Sequence, residues 1–232
     1  MTDFREDIRE RILYEDNHLI IVNKRAGEIV QGDKTGDIPL LEKVRTYLKE
    51  TYSKPNNVFC GLVHRIDRPV SGIVIFAKTS KALSRMNELI KNRQLKKIYR
   101  AIVDKELPGQ TGKLTGYLWK NEKQNKSYPV SASQPNASYA ELNYRIMGKT
   151  KSFVLLEIEL ITGRHHQIRA QLSEQGAHIK GDLKYGAKRS NQDGSISLHA
   201  ARIEFEHPVS HEFLVINAIP PQEEFRKIWD NL

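Results

Sequence analysis

His64-Arg65-Ile66-Asp67-Arg68-Pro69-Val70-Ser71-Gly72 runs directly into Ile73-Val74-Ile75-Phe76-Ala77. The second part is an apolar run rich in β-branched residues and bounded by a turn that Pro and Gly mark, so it reads as a buried strand. An aspartate therefore stands between two arginines at the mouth of a core strand. Arginine on either side keeps a carboxylate ionised, and the strand gives it a rigid base. Read locally, Arg65 and Arg68 are the obvious partners of Asp67.

Working outward, Ile12-Leu13-Tyr14 and Leu19-Ile20-Ile21-Val22 flank the turn-like Glu15-Asp16-Asn17-His18 and read as a hairpin. Residues 1–11 are mostly charged and read as a short helical lead-in, and residues 31–38 as a loop. Apolar residues at Leu40, Leu41, Val44, Tyr47 and Leu48 predict a helix from Leu40 to Thr51. Beyond the core strand, Thr79 or Ser80 caps a helix through Ala82, Met86, Leu89 and Ile90. Ile98 to Val103 alternates as a strand. Residues 104–136 are polar, with Pro108, Gly109, Pro129, Pro135 and a lysine-rich span from Lys120 to Lys126, and read as loops around short strands. Ala140–Ile146 and Phe153–Ile161 predict an antiparallel pair. Gln167 to Gln175 suits a short helix that Gly176 ends. Two closing strands and a helix from Pro220 to Leu232 complete the chain. Strands outnumber helices and most connections are hairpin-like, which predicts an α+β fold on a largely antiparallel sheet.

The chain has 232 residues, enough for one large domain or two small ones at roughly 150 residues each. Lys plus Arg outnumber Asp plus Glu by 37 to 28, for a net charge of +9, which favours a polyanionic partner and nucleic acid first. Cys60 is the one cysteine, so an intrachain disulfide and a cysteine zinc site are both excluded; Phe59-Cys60-Gly61-Leu62 reads as packing. The charged N-terminus carries no apolar signal core, and no stretch approaches the about 18 apolar residues of a membrane span. These features predict a cytoplasmic protein.

Two further segments carry chemistry. In Leu160-Ile161-Thr162-Gly163-Arg164-His165-His166-Gln167-Ile168-Arg169 a strand ends, Thr-Gly turns the chain, and a helix opens among histidines and arginines. Arg164 and Arg169 are five apart across that junction, so one can pair with a carboxylate while the other meets a phosphate. In Lys96-Lys97-Ile98-Tyr99-Arg100-Ala101, within a span of five basic residues and no acid from 91 to 100, an aromatic sits among cations, as base stacking beside phosphate contacts requires. Either segment alone also has a plain reading, with Tyr99 packed in the core and Arg169 on the surface.

Together the segments resemble the RluA-type pseudouridine synthases. The resemblance rests on ordered blocks: Ile20–Lys24 with Ala26-Gly27, His64–Asp67 with Ser71-Gly72, Lys97–Ala101, Thr162–Arg169, and Gly181-Asp182 with Tyr185-Gly186. Departures are Arg25, where relatives commonly have proline, Ile66 for leucine, Val70 and His165 for threonine, and Ile179 for proline. None removes a group that does chemistry.

The resemblance implies the pseudouridine synthase fold, with flanking helices and a central RNA-binding cleft. It implies a single catalytic domain over 1–232, with no separate N-terminal RNA-binding domain. It implies a uridine-to-pseudouridine isomerase acting on ribosomal or transfer RNA, without cofactor or metal, as a monomer. A catalytically silent RNA-binding protein on the same fold is the alternative. By matching position, Asp67 is the essential carboxylate, Arg169 its salt-bridge partner and Tyr99 the residue stacked on uracil. Arg65, His64, Arg164 and Ile168 are substrate-binding, with Arg65 filling the space that a flipped base vacates. Three roles suit an ionised Asp67: attack at C1′, attack at C6, or removal of the C2′ proton. His64, His165 and His166 beside Asp67 raise a metal site. However, adjacent helical positions diverge by about 100°, which disfavours joint chelation by the histidine pair.

Overall fold

The computed structural model describes residues 4–33, 35–53, 55 and 57–230. The first three residues of the expected lead-in and the last two of the expected terminal helix lie outside that set. The chain divides into two compact units, one of residues 1–95 with 201–219 and the other of 96–200 with 220–232.

The first unit contains α1 (Phe4–Arg9), β1 (Ile12–Glu15), β2 (Leu19–Lys24), α2 (Leu40–Thr51), β3 (Gly61–Leu62), β4 (Ser71–Ala77) and α3 (Ser80–Lys91). The Ala201–Glu206 part of β10 (Leu198–Glu206) and β11 (Phe213–Asn217) complete it. Strands run in the order β1-β2-β4-β10, with β3 on β4 and β11 on β10. The apolar run after the Asp67 turn is β4, and every one of its residues is buried. A strand covered on both faces needs a continuous apolar sequence, which is why it reads without alternation. Its antiparallel partner β2 sets Leu19 opposite Ala77 and Lys24 opposite Gly72. Helix α3 begins where expected, with the Thr79 hydroxyl accepting from the Ala82 N–H at 3.1 Å. Helix α2 has no side-chain cap; instead the Leu40 and Leu41 N–H groups donate to Ile29 and Val30 carbonyls and pin the preceding loop.

The second unit contains β5 (Lys96–Val103), β6 (Thr111–Asn121), β7 (Lys126–Val130), β8 (Ser138–Lys149), β9 (Val154–Leu160), α4 (Gln167–Glu174), a 3-10 turn (Leu183–Tyr185) and α5 (Glu223–Asp230). Its antiparallel strands run β5-β9-β8-β6-β7. Both units are therefore α+β.

One expectation is corrected. Residues 104–136 are not loops around short strands: β6 is 11 residues long and forms a hairpin with β7, with the lysine-rich span at its tip. The period-2 pattern is present but disguised. Thr111, Lys113, Thr115 and Tyr117 face solvent, while two of the alternate positions are Gly112 and Gly116 rather than apolar residues. At Gly112 the reason is a close approach, since a Cβ there would lie 2.5 Å from Cζ of the Tyr144 ring. One face of this sheet packs Leu118 and Ala140 with Ala170 of α4 and with Tyr185. Over β5 and β9 the other face is covered by α5, where Phe225 packs with Ile102 and Leu155.

Candidate active site

The Asp67 loop is fixed in the first unit from both ends and from below. Ile66 and Val70 are buried and anchor it, and the Val70 N–H closes a turn onto the Asp67 carbonyl at 3.0 Å. Asp67 itself is half-buried, His64 likewise, and Arg65 is exposed. The Arg68 side chain turns away, its Nη2 donating to Asp37 Oδ2 at 2.6 Å. The local reading of Arg68 as the partner of Asp67 is thereby corrected.

Beneath the loop lies Lys24, a residue that sequence reasoning placed in a strand and assigned no role. Its side chain is fully buried, and Nζ donates to the carbonyls of Arg25 (2.8 Å) and Arg68 (3.1 Å). The Gly27 N–H donates to the same Arg68 carbonyl at 2.8 Å. Burial pushes the Lys24 ammonium down to about 7, while the nearby Glu28 and Asp67 carboxylates act to keep it charged. The signal available in sequence was a lone lysine ending an apolar strand, which is ordinarily a surface residue.

The same loop explains the departure at Arg25. Its Nη1 pairs with Asp7 Oδ1 at 2.6 Å, and Asp7 also binds Arg11. Arg11 and Lys43 both donate to Glu28, at 2.7 and 2.8 Å. Those two bonds hold the Glu28 carboxyl down to about 2 despite its burial.

In the second unit, Tyr99 is 7% exposed and lies opposite Ile158. Register carries it through Ile158 to Tyr144, on the sheet face that bears α4. Arg169 is buried in the first turns of α4. Its Nε and Nη2 make a bidentate pair with Asp182 Oδ2 (2.7 Å) and Oδ1 (2.8 Å). The plain reading of Arg169 as a surface arginine gives way to a guanidinium locked in plane, 5.0 Å from the Tyr185 ring centroid. Asp182 is held by its own turn. Gly181 before it has φ +89°, and a Cβ there would lie 2.6 Å from the Ser195 carbonyl, so only glycine fits.

The Thr162–Gln167 turn is an interlocked set of hydrogen bonds. Thr162 Oγ1 and the Arg164 N–H both donate to Gln167 Oε1, and Gln167 Nε2 donates to the Glu141 carbonyl. Arg164 stays exposed, with Nε on the Tyr139 carbonyl, and Ile168 is buried on α4. Lys97 lies beside this turn, and burial lowers its pKa.

The two histidines differ from expectation. They precede α4 rather than riding on it, His166 has φ +52°, and their rings stack 3.8 Å apart instead of diverging. His165 Nδ1 meets Ser127 Oγ, and His166 Nδ1 meets the Tyr185 hydroxyl at 3.0 Å. Burial first, then the Arg169 charge, pushes the His166 imidazole down to about 2, so it is neutral at physiological pH. Tyr185 joins the parts: its hydroxyl also donates to the Ser127 carbonyl and accepts the Ser127 N–H. Asp182 and Tyr185 were visible in sequence as a block but carried no assigned role. Among the described residues no group of three or more His, Cys, Asp or Glu side chains is placed to hold a metal ion. Among them, too, no helix is long and apolar enough to cross a membrane.

Ribosomal large subunit pseudouridine synthase C of Vibrio parahaemolyticus is 32% identical over 228 residues, covering 96% of this chain and 69% of that protein. An RNA pseudouridine synthase of Bacillus subtilis, YhcT, is 30% identical, covering 91% of this chain and 69% of its own. In fold, the chain is similar to human RNA pseudouridylate synthase domain containing 4, with TM-score 0.79, 22% identity and coverage of 96% and 92%. The sequence model of RNA pseudouridylate synthases matches residues 18–174, a span that includes the Asp67 loop, Tyr99 and the Thr162–Arg169 turn, and on that match the chain belongs to this family of isomerases.

Proposed function

We propose that this enzyme isomerises uridines in large-subunit ribosomal RNA, with Asp67 as the essential carboxylate, Arg169 as its ion-pair partner and Tyr99 stacked on the uracil. The RNA class follows the names of relatives at about 32% identity. What supports the residue roles is how firmly each unit holds its own residue. Asp67 sits on a loop whose backbone is held by a fully buried ammonium. Arg169 is held in plane by a bidentate pair with a buried carboxylate, Asp182. Both groups are restrained before substrate arrives, which is how positioning lowers a barrier.

In the reaction, the N1–C1′ bond breaks, the uracil turns within the site, and C5 joins C1′. The C5 hydrogen leaves as a proton and N1 gains one, so the balance needs neither redox change nor net hydrolysis. Asp67 acts as the anion, by attack at C1′, attack at C6 or removal of the C2′ proton; Arg169 directs it, and Tyr99 holds the ring near the C5 proton. Extruding the target base costs a few kcal/mol. Exposed Arg65, next but one to Asp67, offsets part of it by filling the gap, while Arg164 meets phosphate and His64 and Ile168 border the substrate. A cytoplasmic monomer suits an enzyme of this kind.

The test is tritium release from [5-3H]uridine-labelled RNA. Wild type releases label from ribosomal RNA; Asp67→Asn abolishes release and leaves RNA binding within a few fold. Turnover by Asp67→Asn refutes the assignment, and release from transfer RNA in place of ribosomal RNA refutes the target.

A further inference from the structure

On one face of the second unit's sheet α4 packs over Leu118 and Ala140, and on the opposite face α5 packs over β5 and β9. Over β6, β7 and β8 that opposite face carries aromatic residues in register. Tyr117 stands across from Tyr139, their rings 5.7 Å apart edge to face, and each is 36% exposed. Two residues further along β6, Trp119 stands across from Tyr128, both partly exposed. Side chains two apart on a strand share a face, so the two pairs form one continuous aromatic strip.

The surroundings are cationic. Between residues 111 and 149 the chain has six lysines or arginines and two glutamates, and Arg145 and Lys149 pair with Glu157 and Glu106 outside that span, which leaves a surplus of two positive charges. Glu141, the carboxylate within the strip, already accepts from Lys113 Nζ (2.8 Å) and the Tyr139 hydroxyl (2.9 Å). Glu122 at the hairpin tip pairs with Lys120. Lys126 Nζ lies 5.1 Å from the Tyr128 ring centroid, and exposed Arg164 reaches the Tyr139 carbonyl. Flat π-faces with surplus positive charge and neutralised acids suit unpaired bases on a phosphate backbone. A protein partner of an exposed apolar patch needs no such charge.

We propose that this face binds a single-stranded segment of RNA, stacking successive bases on Tyr117–Tyr139 and Trp119–Tyr128, as a contact separate from the uridine that is isomerised. The proposal rests on the RNA reading above and adds a second RNA site to it. It makes affinity for a long substrate depend on residues remote from Tyr99 and Arg169, which lie on the α4 side of the sheet.

Trp119 and Trp229 are the two tryptophans, so Trp229→Phe leaves Trp119 as the only indole reporter. The probe is a 12-nucleotide oligoadenylate, which stacks well and contains no uridine to react. Saturable quenching of Trp119 that weakens with salt is expected, and Tyr117→Ala with Tyr139→Ala should raise the dissociation constant roughly five- to a hundred-fold. Tritium release from a short uridine-containing hairpin should be unchanged in that double variant. Absence of quenching, or quenching indifferent to the two substitutions, overturns the proposal. So does sedimentation as a dimer that the double variant converts to monomer, which would make the face a contact between copies of the chain. If wild type releases tritium but shows no quenching, this proposal alone fails. If quenching occurs without release, the synthase reading fails and the face remains.

Discussion

Replacing Asp182 by asparagine isolates the contact that fixes Arg169. The side chain is nearly isosteric, and the backbone bonds of the turn, Asp182 N–H to Ile179 and Tyr185 N–H to Asp182, are untouched. What disappears is one negative charge from a pair whose members are 1% and 5% exposed. Removing one member of a buried ion pair costs about 3–5 kcal/mol, because the remaining charge loses its counterion in a low-dielectric setting. Asparagine keeps one acceptor for the guanidinium, which places Asp182→Asn near the lower end, about 3 kcal/mol. For a chain of this size that is a fall in melting temperature of roughly 6–12 °C. Urea unfolding followed by circular dichroism reads the loss. A double-mutant cycle with Arg169→Met separates the pair from the individual side chains and should give a coupling of at least about 2 kcal/mol. On the proposed pairing of Arg169 with Asp67, folded Asp182→Asn should also lower kcat by a larger factor than it raises KM. A stability change under about 1 kcal/mol, or coupling near zero, would falsify the reasoning.

Two further predictions concern pH. Lys24 is held near 7 in the fold against 10.5 when free, so between those values the unfolded chain binds the extra proton and stability rises with pH, by up to about 1.4 kcal/mol per unit. Lys24→Met should lack that share of the rise between pH 7.5 and 9.5 in urea titrations; identical slopes for the two proteins contradict it. His166 is held neutral well below its free value of 6.5, so its contribution is complete above pH 6.5 and falls as pH drops beneath it. His166→Asn, chosen because asparagine tolerates the positive φ, should flatten the decline between pH 6.5 and 5 by up to roughly 1.4 kcal/mol per unit. An unchanged slope counts against a buried neutral imidazole.

Much of the fold was legible because its signals are local. β4 is apolar throughout, α2 and α3 repeat apolar residues at helical spacing, and Thr79 is a capping residue in its usual place. The β6–β7 hairpin was not legible. Its inward positions include two glycines; at Gly112 the reason is the room that the Tyr144 ring takes up, and Tyr144 lies on another strand. The histidine pair was misjudged for a similar reason. Ideal helix geometry splays adjacent side chains, but His166 sits in a left-handed turn that lets the rings stack.

At the site, the residue types were readable one segment at a time: an aspartate before a core strand, an aromatic among cations, an arginine after a Thr-Gly turn. Those follow from the chain itself, because ionisability, ring size and strand propensity belong to residues. The roles of Lys24, Asp182 and Tyr185 came only with tertiary structure. Lys24 meets the Arg68 carbonyl 44 positions away, Asp182 meets Arg169 across 13, and Tyr185 meets Ser127 across 58. Burial turns an ordinary lysine into a loop support and an ordinary aspartate into the clamp of an arginine. Burial is decided by what the rest of the chain packs around a residue, and nothing in the neighbouring sequence encodes it.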